Sequence, residues 1–394
     1  MTKTVIVGGS RTPIGKMSGG LAKFSAADLG SKAIAGALEK SGVAPSKVDY
    51  VIMGQVLGAG AGQNPARPAA AGAGIPMTTP SITLNKVCLS GINSLAQADW
   101  MIRLGEADIV VAGGQESMTN APYLLKDGRA GYRYGDSVLF DAMTYDGLSC
   151  TFDKKAMGEA TDEYNERYSF GRTEQDEFAA RSHELAAAAQ KNGIFAEEIT
   201  LVEVPQRKGD PVLVENDEGI RPGTTAETLA RLRPAFRKEG TITAGNASQI
   251  SDGACALVLM SEATAASLNL TPIAEILSHG QIAGEDPSLH SMPARAIKRA
   301  AEKAGIGIDD IDLFEINEAF AAVSLATKEE LGIDDSKTNV NGGAVALGHP
   351  IGMSGARIVL HAVLEQNRRG GGTVAAGICG GGGQGDALIL KALG

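Results

Sequence analysis

The sequence predicts a layered α/β protein built from two copies of one unit, with an unmatched segment inserted into the first copy. Two observations carry this. Short apolar runs alternate with helical patterns along the chain. Residues 32–53 also align with 295–316 without a gap, at a constant shift of 263. In that alignment Ala33-Ile34 meets Ala296-Ile297, Glu39-Lys40 meets Glu302-Lys303, Gly42 meets Gly305 and Asp49 meets Asp312. At a shift of 264, Ser90-Gly91 meets Ser354-Gly355, and Val110 to Gly113 meets Val374 to Gly377.

Taken in order, strands are expected at 4–8, 48–53, 108–112, 255–260, 311–316, 373–378 and 386–390, each a short apolar run. Helices are expected at 26–40, 90–104, 292–304, 318–331 and 353–367. The stretch 118–250 has no counterpart in the repeat and is more polar, with Asp127-Gly128, Gly131 and Gly135 marking turns. One helix stands out there, Thr173 to Asn192, with Thr173 expected as N-cap, Asp176 three residues on, and Gly193 ending it. The expected division is a first half of 1–117 with 251–270, an inserted loop domain of 118–250 covering the site, and a second half of 271–394.

Composition narrows the function. Hydrophobic residues make up 43% of 394, enough for a large interior, and 51 glycines permit close packing and close approach of backbone to ligand. The net charge of −10 argues against a general nucleic-acid binder. No apolar run is long enough to span a membrane, and Val5-Ile6-Val7 begins a strand where a secretory signal would have its apolar core. Cys88, Cys150, Cys255 and Cys379 form no C-x-x-C pair, so neither a structural metal nor a disulfide framework is expected, and a reducing, cytoplasmic setting is. Residues 221–238 are locally basic, with Arg221, Arg231, Arg233, Arg237 and Lys238 against Glu227. They read as a solvated face or as a docking strip for a phosphorylated ligand.

Four positions could carry chemistry. Cys88 stands just before the helix of 90–104, where the positive helix end is expected to lower the thiol pKa; the alternative is a small core cysteine. His349 lies in a loop rich in glycine, GGAVALGHPIG, and could take a thiol proton or be structural. Cys379 ends a strand and is followed by Gly380-Gly381-Gly382-Gly383, whose N–H groups could face an oxyanion or simply make a tight turn. Asn317 could hold a water or a carbonyl, or cap a helix.

Together these segments resemble the thiolase family: VCLSG at 87–91, NEAF at 317–320, GGAVALGHPIGMSGAR at 342–357 and CGGGGQG at 379–385. SRTPIGK at 10–16, GQNPAR at 62–67, AGGQESM at 112–118 and GNASQISDGA at 245–254 resemble it too, in family order over nearly the whole chain. The acetyl-CoA acetyltransferase branch is the most similar. The resemblance implies the thiolase fold: duplicated five-stranded mixed-sheet units in an αβαβα layering, with an inserted loop domain. It implies a reversible condensation of two acetyl-CoA to acetoacetyl-CoA and CoA. Cys88 would be the acylated nucleophile, His349 its proton acceptor, and Cys379 the base for the second substrate. His349 and a water on Asn317 would form one oxyanion hole, and the N–H groups of Cys88 and Gly381 the other. Ser248, Arg221, Met157 and Leu148 would contact CoA or wall the pocket. CoA is then a substrate, no resident cofactor is implied, and a homo-oligomer is expected, a tetramer through part of 120–145.

One departure bears on specificity. The branch commonly has histidine just before Met157-Gly158, where this chain has Ala156. A 3-ketoacyl-CoA thiolase of broader chain length therefore stays open. A decarboxylating 3-oxoacyl synthase would lack the second cysteine that Cys379 supplies. A non-catalytic acyl-CoA or lipid-binding relative could lose either Cys88 or Cys379, and this chain keeps both.

Overall fold

The computed structural model describes residues 2–168 and 170–394. Its strands of four or more residues are β1 (Thr4–Arg11), β2 (Tyr50–Gly54), β3 (Ser81–Leu84), β4 (Ile109–Ser117), β5 (Ser251–Ser261), β6 (Ala274–Ala283), β7 (Leu313–Ile316), β8 (Gly372–Gly380) and β9 (Gln384–Ala392). Its helices of eight or more are α1 (Ala26–Ser41), α2 (Ser90–Leu104), α3 (Met157–Tyr164), α4 (Arg172–Lys191), α5 (Met292–Ala304), α6 (Ala321–Leu331) and α7 (Ser354–Arg368).

The two copies have the same strand plan. In the first, β3, β2 and β4 are parallel, β5 runs antiparallel to β4, and β1 runs antiparallel to β5. In the second, β7 and β8 are parallel, β9 runs antiparallel to β8, and β6 runs antiparallel to β9. The fifth member of the second copy is a single parallel bridge, Phe314 to Thr338. A short antiparallel pairing of Val5 with Glu275 and Ile6 with Ala274 joins β1 to β6, so the sheets form one continuous path.

The repeated residues have repeated jobs. Gly42 and Gly305 both sit at φ 69° and end α1 and α5, a left-handed position that favours glycine. The Asp49 carboxylate accepts the N–H groups of Asp108 and Ile109 where β4 begins. Its counterpart Asp312 accepts the N–H of Thr373 where β8 begins. These carboxylates fix matching parallel registers in the two copies.

Five layers result. α1 covers the outer face of the first sheet, packing Leu29, Ala33, Ile34 and Ala37 against Val7, Val51, Val111 and Val258. α5 covers the outer face of the second with Ala296, Ile297 and Ala300 against Phe314, Ala375 and Ile389. α2 and α7 pack on each other between the sheets, and their apolar side chains belong to one buried cluster with both inner faces. Their N-termini meet backbone to backbone. A Cβ on Gly355 would lie 2.4 Å from Ile92 N, and one on Gly91 would lie 2.7 Å from Ala356 N. The Ser-Gly recurrence in the repeat thus marks a helix crossing that only glycine permits.

Some local expectations need correction. α4 starts at Arg172 with Gly171 as N-cap, and Thr173 makes no capping bond. Arg172 instead pairs with the buried Asp176 one turn on, at 2.7 Å. The helix expected from 318 begins at Ala321, because Phe320 is extended and the backbone of 319–321 pairs with 246–248. β3, β6 and the helix Ala66–Gly72 were not foreseen from the sequence. β3 is short and half-buried, and β6 carries Ser278, His279 and Gln281 among its apolar residues.

Candidate active site

The α2–α7 crossing decides which loops meet. Cys88 lies two residues before α2, and His349 lies in the loop that leads into α7. Bringing the two helix N-termini together brings these loops together, although one belongs to each copy. Cys379 arrives at the end of β8, and the glycine turn after it passes the Cys88 loop: a Cβ on Gly380 would strike the Leu89 side chain at 2.6 Å.

A cavity of about 60 Å³ lies at this meeting point. Cys88, His349, Cys379, Gly381, Ser248, Met157 and Leu148 all line it. Leu148, Met157, Ser248 and Phe320 also wall an adjoining cavity of about 650 Å³, which Arg221, Lys16, Phe236 and Ala156 border. Asn317 lines neither cavity. It is fully buried, and neither end of its side-chain amide has a hydrogen-bond partner among the described residues.

The Cys88 loop is held in an uncommon conformation. Val87 sits at φ 52°, a left-handed position that costs a β-branched residue about 1–3 kcal/mol. Three contacts hold it there. Val87 N donates to Asn85 Oδ1 at 2.9 Å, and Ser90 Oγ accepts from Lys86 N and donates to Val87 O. The Lys86 ammonium reaches across to the Asp386 carboxylate of β9 at 2.8 Å.

Burial pushes the Cys88 thiol up to about 11, although the N–H groups of Gly381 and of Cys88 itself face the sulfur and partly offset this. The expected lowering by the α2 terminus is therefore overturned: desolvation outweighs the helix end. Burial likewise pushes Cys379 up, and the neighbouring Cys88 sulfur adds to it.

His349 is held as a neutral base. Burial, helped by the Arg357 charge, lowers its pKa to about 3. Its Nδ1 lies 2.6 Å from Ser354 Oγ. Ser354 has one hydroxyl hydrogen and donates it to Pro350 O at 3.1 Å. With the hydroxyl hydrogen assigned to Pro350 O, Ser354 accepts at its oxygen and the imidazole hydrogen sits on Nδ1. The bare Nε2, with no partner among the described residues, is left to take a proton.

Several lining residues were not singled out from the sequence. Val87 and Ile351 adjoin recognised motifs, so proximity to Cys88 and His349 was an available signal. Gly147 adjoins Leu148, so it too had a neighbouring signal, but Leu289 gave none, since its segment carries no repeat or motif of its own.

Known proteins agree with this architecture. A family profile described as "Thiolase, N-terminal domain" matches residues 4–263, and one described as "Thiolase, C-terminal domain" matches 270–392. The "Probable acetyl-CoA acetyltransferase" of Mycolicibacterium smegmatis is 59% identical over 387 residues, covering 98% of this chain and 100% of the relative. The "Acetyl-CoA acetyltransferase" of Cupriavidus necator is 50% identical over 392 residues, covering 99% of this chain and 100% of its own. The crystal structure of the Bacillus anthracis acetyl-CoA acetyltransferase superposes with a TM-score of 0.97 at 41% identity, covering 100% of this chain and 99% of that one. By its duplicated sheets, its full-length sequence matches and its shared fold, the chain belongs to the thiolase family.

Proposed function

We propose that this thiolase is an acetyl-CoA C-acetyltransferase, joining two acetyl-CoA into acetoacetyl-CoA and CoA and running the reverse thiolysis. The observation that carries this is the convergence of two thiols, one neutral imidazole and the Gly381 N–H on one cavity of about 60 Å³. At about 10–15 Å³ per water-sized probe, that volume suits a few heavy atoms, as in an acetyl group, and is too small for a long acyl chain.

The steps follow from the protonation states. The Cys88 thiol gives its proton to His349 Nε2 as its sulfur attacks the thioester carbonyl. The oxyanion forms beside the N–H groups of Cys88 and Gly381, already aimed at this region. The carbon–sulfur bond to CoA breaks, and the departing sulfur takes the Cys379 proton, leaving as the CoA thiol. Cys379, whose pKa burial raises, is then a strong base, and it removes a methyl proton from the second acetyl-CoA. The enolate oxygen is met by protonated His349 and by a water on Asn317. Its carbon bonds to the acetyl carbonyl, the Cys88 sulfur leaves, and His349 returns the proton to it. Protons balance, and both thiols are regenerated.

The wider cavity, with Ser248, Met157 and Leu148 near its inner end and Arg221 on its border, suits the pantetheine arm and its phosphates. Residues 118–250 act as the cover of this channel, in keeping with the division into two halves and an inserted loop domain. Exposed Tyr123, Leu125, Tyr132, Tyr134, Val138 and Leu139 support a tetramer contact through 120–145. The reducing setting inferred from the cysteines points to the cytoplasm.

The test is thiolysis. Acetoacetyl-CoA and CoA are mixed with the protein, the enolate absorbance is followed, and longer 3-oxoacyl-CoA substrates are compared. Rapid loss with acetoacetyl-CoA and a steep fall with chain length is the expected result. Folded protein without turnover, or a preference for longer chains, refutes the assignment.

A further inference from the structure

Glu116 is the last but one residue of β4, close to Cys88, and its carboxylate is fully buried. The thiolysis and condensation steps give it no part. No cation pairs with it among the described residues, yet it is saturated with backbone donors. Oε2 accepts from Val56 N at 2.9 Å and from Gly352 N at 3.0 Å, and Oε1 accepts from Leu57 N at 3.1 Å.

Gly352 belongs to the histidine loop, whereas Val56 and Leu57 follow β2 and lie beside the cysteine loop. Gly352 is three residues after His349, and its N–H makes no helix bond. Val56 O in turn accepts from Asn85 Nδ2 at 3.3 Å, and Asn85 also holds Val87. The approach at Gly352 is close: a Cβ there would lie 2.8 Å from Glu116 Oε2 and 2.8 Å from Gln115 O. One carboxylate therefore ties the histidine loop of the second copy to the segment that supports the cysteine loop of the first.

The geometry points to Glu116 as the positioning residue that holds His349 in register with Cys88, through its bonds to Gly352, Val56 and Leu57. The charged form is the stronger acceptor: hydrogen bonds to an ionised carboxylate are shorter and roughly twice as strong as those to a neutral carboxyl, so a proton there loosens the brace.

This makes the brace sensitive to pH. Burial pushes Glu116 up to about 7, against the opposing pull of the three N–H groups. Asp252 on the neighbouring β5 raises it further, and the Cys88 thiol and His349 are the other titratable groups of the site facing this region. His349 near 3 and Cys88 near 11 do not titrate between pH 5 and 9. An acid limb near pH 7 in kcat for thiolysis is then the signature of Glu116, with activity gained as pH rises.

The inference rests on Cys88 and His349 being the reacting pair. Amide exchange at Gly352 reports the brace without turnover, so failure of one is distinguishable from failure of the other. In Glu116→Gln, kcat should fall by about 10²-fold, as for a misplacement of about 1 Å, with KM within about threefold. The limb near pH 7 should vanish and the Gly352 amide should exchange faster. Asp252→Asn should keep the limb and move it to lower pH, since a facing negative charge is removed. A limb that persists unchanged in Glu116→Gln overturns the proposal. If that variant does not fold, the wild type and Asp252→Asn decide it: no limb between about pH 6 and 8, or no acid-ward shift, overturns it equally.

Discussion

Replacing Gly355 by alanine separates two expectations of opposite sign. Gly355 is the second residue of α7, and by helix propensity alone Gly→Ala should stabilise the helix by about 0.8–1 kcal/mol. The structure says otherwise. The new Cβ would lie 2.4 Å from Ile92 N, 3.0 Å from Ile92 Cβ and 3.2 Å from Gly91 C. Two of these three are backbone atoms of α2, so no rotamer change relieves the clash, and the two helix N-termini must part. Overpacking of this kind costs about 1–3 kcal/mol, which exceeds the propensity gain. Parting the helices also moves Cys88 away from His349, and a shift of about 1 Å lowers turnover by about 10²-fold. Urea unfolding followed by circular dichroism reads the first effect, and acetoacetyl-CoA thiolysis the second. Gly58→Ala is the control, because nothing lies within 4 Å of its Cβ position. A Gly355→Ala protein as stable as wild type, with kcat within twofold, would show that the crossing does not set the distance between the reacting groups.

Ser354→Ala removes the acceptor that keeps the His349 hydrogen on Nδ1; kcat should drop by about 10²-fold, the lower end of what a general base supplies, with KM little changed. Glu198 is buried between Arg11 at 2.7 Å and His361 at 2.9 Å, so Glu198→Gln should cost about 3–5 kcal/mol in urea unfolding. Burial disfavours charge on His361, but Glu198 outweighs it and raises the pKa above the ordinary 6.5. That stabilisation is full below pH 6.5 and is lost as pH rises through the folded value. Burial likewise opposes the Glu198 charge, yet Arg11 and His361 hold its pKa below 4.5, so its share is full above 4.5 and lost as pH falls through the folded value. Unfolding free energies between pH 3 and 9 should show the His361 loss on the alkaline side and the onset of the Glu198 loss below 4.5 in the wild type, and neither in Glu198→Gln.

Much of this was legible in the sequence because repetition is legible. Gly42 and Gly305, Asp49 and Asp312, and Gly91 and Gly355 recur at a shift of 263 or 264, and each pair has the same work in both copies. The Cys88, His349 and Cys379 segments were identifiable because glycines flank two of them and a helix start flanks the third. The protonation of Cys88 was misjudged, since a helix end is visible in a sequence and desolvation is not. That Ala319 and Phe320, rather than Asn317 itself, line the cavity was not visible in the NEAF segment. Glu116 was passed over inside AGGQESM, because its partners are three backbone N–H groups and backbone leaves no mark on residue type.

The duplication has a numerical consequence. Two equivalent halves could in principle have furnished two reactive centres, yet the residue matching Cys88 at a shift of 264 is Gly352, and the space a side chain would need there is filled by Glu116 Oε2 and the Gln115 carbonyl. The second copy therefore offers no counterpart to Cys88. Saturation with labelled donor should level off at one equivalent per chain, whatever the number of chains in the assembly.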